Sequence, residues 1–287
     1  MIELRHGHCS ARISSRGAEL QSLRRRDEEL LWQADPAVWG QHAPWLFPFV
    51  GRLRAGGFTH GGKHYRMPIH GFASGLDFRV VRLQVDSVWL EAADDAFTRE
   101  VYPFAFRLRI GYMLHDDGLA IAVEVWNRGE ETLPFALGAH PGFALPGPLS
   151  HWALQFDQAE ADEVWRLTPG PDALLAATAE AFTWSAPGRL DLRPDTFARD
   201  ALIVKRPRSR RVALLRHGRQ HLAVECVGVD GMAHLGLWAR PSASYVCIEP
   251  WWGHDDDAHA PAALLDKPQV QHLPPDETWA RALFIRL

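Results

Sequence analysis

Phe106-Arg107-Leu108-Arg109-Ile110-Gly111-Tyr112-Met113-Leu114 and Leu119-Ala120-Ile121-Ala122-Val123-Glu124-Val125 decide the fold class. In the first run Phe106, Leu108, Ile110, Tyr112 and Leu114 alternate with Arg107, Arg109, Gly111 and Met113. In the second, Leu119, Ile121, Val123 and Val125 alternate with Ala120, Ala122 and Glu124. Successive side chains of a strand point to opposite faces, so a period of two lays one face of each run on a core. Between them stands a turn signal, His115-Asp116-Asp117-Gly118, and Asn127-Arg128-Gly129 closes the second run. The segment reads as a β-hairpin of two long strands.

Working outward, similar strands are expected at 78–83, 88–92, 211–215, 221–227, 245–248 and 279–287. Helical periodicity is scarce, with short helices expected at 35–39, 94–100 and 258–265. Strands that follow strands argue for an all-β antiparallel sandwich rather than a parallel sheet with crossover helices. The Leu145-Pro146-Gly147-Pro148 stretch fits a loop between strands, so residues 1–287 are expected to form a single domain.

Composition excludes several classes. The chain has 287 residues, of which 47% are hydrophobic and 23% charged, enough for a sizeable core and unlike a disordered chain. The net charge of −4 argues against a nucleic-acid partner, which would select a basic surface. The basic runs Leu23-Arg24-Arg25-Arg26 and Arg206-Pro207-Arg208-Ser209-Arg210-Arg211 read as solvated turns. Cys9, Cys226 and Cys247 form no disulfide framework and lack zinc-site spacing. Cys226 and Cys247 lie in apolar runs and read as small buried hydrophobes, and a reducing cytoplasm is the expected compartment. The first 31 residues mix charge throughout, and no apolar run reaches 18 residues, so no membrane association is expected. No phosphate loop, dinucleotide fingerprint, H-E-x-x-H or G-x-S-x-G is present, and no cofactor or metal is expected. Twelve Trp suit a β-rich core or a sugar-stacking cleft.

Three stretches depart from ordinary strands. In Pro44-Trp45-Leu46-Phe47-Pro48-Phe49-Val50-Gly51-Arg52-Leu53 the prolines rule out a central strand. There, and in Met67-Pro68-Ile69-His70-Gly71-Phe72, Arg52 and His70 stand beside glycines, where backbone can approach a ligand. A buried loop with Arg52 ion-paired and His70 hydrogen-bonded accounts for these residues as well as a ligand site does. In Leu137-Gly138-Ala139-His140-Pro141-Gly142-Phe143 the proline forces His140 toward an extended backbone, compatible with a plain turn or a site. In Val246-Cys247-Ile248-Glu249-Pro250-Trp251-Trp252-Gly253 an acid ends an apolar strand. Such a carboxylate needs partners or takes up a proton, which makes Glu249 a candidate general base. His254-Asp255-Asp256-Asp257 with His259 matches no calcium loop and is expected to be a solvated loop.

Together these stretches resemble the aldose 1-epimerase (galactose mutarotase-like) family, in the branch that includes LacX and the hexose-6-phosphate mutarotases. The resemblance rests on 46–53, Ile69-His70-Gly71-Phe72-Ala73, Gly138-Ala139-His140-Pro141-Gly142-Phe143, Leu235-Gly236-Leu237-Trp238 and Cys247-Ile248-Glu249-Pro250-Trp251, in the family's order. Leu273-Pro274-Pro275-Asp276-Glu277-Thr278 is similar to its last turn. The resemblance implies a large β-sandwich with a sugar cleft on one sheet. It implies Glu249 as general base and His140 as general acid, and His70 and Arg52 as groups that bind the sugar and steady charge at the ring oxygen. Asp200 is similar to a substrate-binding acid, and Trp238 and Trp251 are placed in the cleft.

The implied reaction is mutarotation of a free hexose. A base takes the C1 hydroxyl proton, an acid protonates the ring oxygen, and the ring opens and recloses on the other face. Mutual attraction is expected to keep Glu249 ionised and His140 charged together. The phosphate-specific branch carries an Arg after His-Gly-Phe-Ala, where this chain has Ser74. Its absence favours an unphosphorylated aldose unless Arg54, Arg79 or another Arg compensates. A hexose-6-phosphate mutarotase and a non-catalytic carbohydrate-binding module are the alternatives. A glycoside hydrolase ranks lower, because only one acid sits in a motif-like setting. Nothing in the sequence separates a monomer from a homodimer.

Overall fold

The computed structural model describes residues 1–228 and 231–287 and is built almost entirely of antiparallel strands. The hairpin forms as its alternation dictates. Strands Phe106–His115 and Gly118–Asn127 pair from Phe106 opposite Asn127 to His115 opposite Gly118, leaving Asp116-Asp117 as the turn. Phe106, Leu108, Ile110, Tyr112 and Leu114 are buried, as are Leu119, Ile121, Val123 and Val125. Each such side chain contributes about 1.5–3 kcal/mol on leaving water.

The hairpin lies within a nine-stranded sheet that includes Arg79–Leu83, Ser87–Ala93, Arg211–Arg216, Arg219–Val227 and Thr278–Arg286. A second sheet, of six strands, faces it. Its order is Leu202–Lys205, His234–Trp238, Tyr245–Trp252, Leu137–Ala139 and Trp45–Leu46, with Gly142–Ala144 also on Tyr245–Trp252. One hydrophobic core lies between the sheets, with Phe47, Phe143, Val246 and Ile248 from one side and Phe106, Leu108 and Ile110 from the other. The Phe47 and Phe106 rings are 5.0 Å apart. The Trp45 indole N–H donates to the Tyr112 hydroxyl at 2.8 Å, and that hydroxyl donates to the Ala18 carbonyl at 2.7 Å. This buried chain of polar groups is satisfied at each link and ties the two sheets together.

Of the three short helices expected, one forms and two do not. At 94–100 a helix does form, Ala96–Val101, because Asp95 accepts the Thr98 N–H in a capping box. At 35–39 there is only a turn, with Val38 and Trp39 donating to the Asp35 carbonyl and Gly40 ending it. At 258–265 Pro261 breaks the pattern, and only a 3-10 turn, Leu264–Asp266, follows. The strand expected at 245–248 runs on to Trp252, through Pro250. A proline removes one donor, and the pairing of Glu249 with Gly236 and Trp251 with Gly138 on either side carries the strand through. Glu249 therefore sits within the strand, not at its end. Among the described residues no helix is long and apolar enough to cross a membrane.

Candidate active site

The Tyr245–Trp252 strand is buried along its whole length, because both its faces are covered. Val246, Ile248 and Trp252 point into the core between the sheets. By the two-residue period Cys247, Glu249 and Trp251 point to the opposite face, and Glu249 and Trp251 line a cavity of about 840 Å³ there.

Register places the acid beside the histidine. Gly138 pairs with Trp251, and Gly142 pairs with Cys247. Counting inward from both ends sets His140 directly opposite Glu249. Pro141 interrupts the ladder without shifting it. The Ile248 N–H still reaches the Pro141 carbonyl at 3.3 Å. Cross-strand partners stand about 4.5–5.5 Å apart at Cβ, so their side chains meet. Nε2 of His140 lies 3.3 Å from Oε2 of Glu249. The contact is not aligned as a hydrogen bond, and neither Glu249 Oε2 nor His140 Nδ1 has a hydrogen-bond partner among the described residues.

Trp251 lies flat in a slot made by two glycines. A Cβ at Gly236 would stand 2.3 Å from the indole Cζ2, and one at Gly138 would stand 2.7 Å from Cδ1. The Trp39 ring stacks on His140 at 5.1 Å and 28°. Trp238 meets both edge-on, at 5.6 Å from Trp39 and 5.8 Å from His140. The floor and one wall are thus aromatic, suited to the C–H faces of a pyranose.

The opposite side is built by backbone contacts. Gly51 N–H donates to Nδ1 of His70 at 3.0 Å, and His70 N–H donates to the Gly51 carbonyl at 2.9 Å. With Nδ1 accepting, a neutral His70 carries its proton on Nε2. His70 holds a left-handed φ of 65°, a strained state that such over-determination maintains. Its ring meets His140 edge-on at 5.7 Å. Arg52 N–H donates to Oδ1 of Asp255 at 2.7 Å, Asp256 N–H to the Arg52 carbonyl at 2.9 Å, and Arg54 N–H to Oδ2 of Asp256 at 2.8 Å. Asp256 in turn receives Lys267 Nζ and Gln269 Nε2, and Lys267 also donates to the Pro261 carbonyl at 2.7 Å. The 254–257 segment is therefore not the solvated loop expected. Asp255 and Asp256 are 3% and 1% exposed, because their carboxylates take up backbone N–H groups and a buried ammonium instead of water.

Burial also sets the proton affinities. It lowers His140 to about 3, with His70 adding to the shift. It raises Glu249 well above the usual carboxylate range. It lowers His70 to about 4, helped by the Arg52 charge, and raises Asp255 to about 7. The expectation that mutual attraction would hold Glu249 ionised and His140 charged is corrected here. Desolvation penalises both charges, and the misaligned contact does not offset it.

Arg52, His70, His140, Asp200, Trp238, Glu249 and Trp251 all line this one cavity. Asp200 stands on its exposed rim, with Oδ1 accepting the Ala201 N–H at 2.9 Å. Sequence reasoning missed Trp39, Asp255 and Arg240, which also line it. The Pro-flanked turn of 35–39 hid Trp39, and the run of acids hid Asp255. Ser74 is exposed and lies off the cavity. Arg54 donates to the Ala260 carbonyl and Arg79 pairs with Glu91, so neither is free to replace an arginine there. Arg240 faces the cavity and pairs with no carboxylate among the described residues.

The sequence model of the family described as "Aldose 1-epimerase" matches residues 1–193. The chain belongs to the aldose 1-epimerase family. The LacX protein of Lactococcus lactis subsp. lactis, plasmid form, is 29% identical over 96% of this chain and 96% of its own. A galactose mutarotase related enzyme from Lactobacillus acidophilus is 32% identical, with a TM-score of 0.88 over 99% of this chain and 96% of that one. A galactose mutarotase-like protein from Lactobacillus casei is 28% identical, with a TM-score of 0.91 over 100% and 99%. The aldose 1-epimerase sandwich is thus the fold of this chain, and carbohydrate epimerisation is the kind of function the family carries.

Proposed function

We propose that this chain is an aldose 1-epimerase that interconverts the α and β anomers of a free hexose by general acid and base catalysis. The observation that carries the reading is the His140–Glu249 pair, 3.3 Å apart on the floor of an aromatic cleft. Glu249 takes the proton from the C1 hydroxyl, and His140 delivers a proton to the ring oxygen. The C1–O5 bond breaks, leaving the open-chain aldehyde, and rotation about C1–C2 presents its other face. The reverse transfers reclose the ring and return both protons. His70 and Arg52 bind the sugar and steady charge at O5, Asp200 holds a hydroxyl, and Trp238 and Trp251 stack on the ring.

Desolvation assists the base. A carboxylate with raised proton affinity is a stronger base, and a general base works best with its pKa near the working pH. Ring opening starts from the minor tautomer of the pair, Glu249 ionised and His140 protonated, and passes one proton onto Glu249 as another leaves His140, so both are uncharged while the aldehyde is held. That is the state burial favours. A non-catalytic carbohydrate-binding module would need no such pair. Asp200 and Asp255 add carboxylates to the cleft, but the family match favours epimerisation over hydrolysis.

A phosphorylated hexose is the second reading, and Arg240 favours it, as an arginine lining the cleft with no carboxylate partner among the described residues. Optical rotation separates the two. Fresh α-glucose, α-galactose and α-glucose-6-phosphate are followed with and without protein. Faster approach to the same final rotation with the free sugars supports the primary reading, and acceleration with the phosphate alone supports the second. No acceleration by folded protein with any of them contradicts both.

A further inference from the structure

Cys247 plays no part in the proton transfers above, yet it stands among the groups that do. It lies two residues before Glu249 on the same face of the same strand, and it is fully buried. Its Sγ, an imidazole nitrogen of His140 and a carboxylate oxygen of Glu249 all lie within 4.8 Å of one another. We propose that these three side chains form a binding site for a zinc-class divalent cation, and that the cation inhibits the protein by occupying its acid–base pair.

One edge of the triad already has the spacing of a tetrahedral site. With metal–nitrogen and metal–oxygen bonds of about 2.0–2.1 Å, the 3.3 Å between Nε2 and Oε2 subtends about 107° at the metal, close to tetrahedral. Cys247 supplies the third corner, and the cavity supplies water or a sugar hydroxyl at the fourth. Glu249 carries a second observation. It is 1% exposed, and its Oε2 has no hydrogen-bond partner among the described residues. A buried carboxylate oxygen left unpaired is costly, and a cation would satisfy it. The nitrogen, sulfur and oxygen donors select zinc and cobalt over magnesium and calcium, which take oxygen alone. Binding releases two protons to solvent, the Cys247 thiol proton and the one held by the His140–Glu249 pair, and forms the metal–thiolate, metal–imidazole and metal–carboxylate bonds with no change of oxidation state.

Cobalt(II) titration followed by absorption reads this site without any sugar. The wild-type protein should develop a thiolate-to-cobalt charge-transfer band that saturates at one equivalent and is displaced by zinc. Magnesium should leave it unchanged. Cys247→Ala should abolish the band and weaken zinc binding by more than the roughly 10–100-fold that loss of an outer-shell partner costs. Cys247→Ser keeps the shape of the buried side chain and serves if the alanine variant does not fold. Anomalous diffraction from zinc-soaked wild-type crystals should place one peak between His140, Cys247 and Glu249. The proposal is overturned by a wild-type protein without the band, by a band that survives at Cys247→Ala or Cys247→Ser, or by zinc found only elsewhere. Inhibition is read separately in whatever anomerisation assay responds, and metal binding stands or falls without it.

Discussion

His140 and Glu249 are cross-strand partners, set opposite each other by an antiparallel register that Pro141 interrupts but does not shift. Their side chains meet at 3.3 Å because Glu249 lies in a buried strand and His140 in the short gap between Leu137–Ala139 and Gly142–Ala144, both paired to that strand. Sites on regular elements are held more tightly than sites on loops. The acid and base therefore need no movement to face each other.

Removing the base should stop turnover and spare the fold. Glu249→Gln keeps the shape and removes a carboxyl that burial disfavours in its charged form. Anomerisation should fall by about 10²–10⁴-fold, the usual contribution of one positioned proton-transfer group. The midpoint of urea unfolding should be unchanged or higher. His140→Asn should lose nearly as much rate, whereas His70→Asn should lose less rate and also raise KM.

The pH profile should lack a limb at 6.5, where a free imidazole titrates. Burial lowers His140 to about 3 and raises Glu249, so the pair holds one proton across a wide range. Rate should fall in acid only when the pair gains a second proton. It should fall in base when the pair loses the first, at a pH above the ordinary carboxylate range. Such limbs belong to the pair as a unit. The pair should therefore contribute no step at 6.5, and a single drop to half centred there would contradict the assignment.

Stability should fall on mild acidification. His70, His140, His234 and His254 are lowered to about 4, 3, 3 and 4, with burial the main cause each time. Between those values and 6.5 the unfolded chain binds protons that the folded one refuses, so stability drops as pH falls through that window. Asp255 and Glu249, raised by burial, act in the opposite direction over part of it. His221 is lowered by burial as well, so five histidines against two carboxyls leave a net loss, which thermal unfolding at pH 6.5 and pH 5 measures.

The clamp under Arg52 should be a point of fragility. Lys267 and Asp256 are both fully buried, and Asp256 also receives the Arg54 N–H and Gln269. Lys267→Met strands a buried carboxylate and should cost about 3–5 kcal/mol in urea unfolding. Adding Asp256→Asn should recover part of that loss, since the stranded charge is removed.

The glycine slot should control the cleft floor. Gly236→Ala would press a methyl against Trp251, whose ring is the far end of no flexible chain. KM for the sugar should rise more than kcat falls.

Much of this was legible in the chain. Strict alternation at 106–125 gave the hairpin, because one face of it is buried and the other is not. The stretches around Arg52, His70, His140 and Glu249 were separable from ordinary strands by misplaced prolines, glycines and charges, Trp238 came only with the family resemblance, and all converge on one cavity. What the chain concealed was long-range. Trp39 reaches the site by stacking on His140, about a hundred positions away, which no local pattern records. Asp255 and Asp256 looked solvated because their partners, the Arg52 and Arg54 amides, lie some two hundred residues earlier. The protonation of His140 also depended on burial, which a motif does not reveal.

The central claim is that the pair interconverts anomers, and magnetisation exchange tests it most directly. At anomeric equilibrium nothing is consumed, so transfer of saturation from the α to the β C1 proton reports interconversion alone. The account predicts that wild-type protein speeds this exchange for at least one aldose, free or phosphorylated, and that Glu249→Gln, equally folded, does not. Exchange no faster than in buffer, or equal rates for wild type and Glu249→Gln, would contradict it.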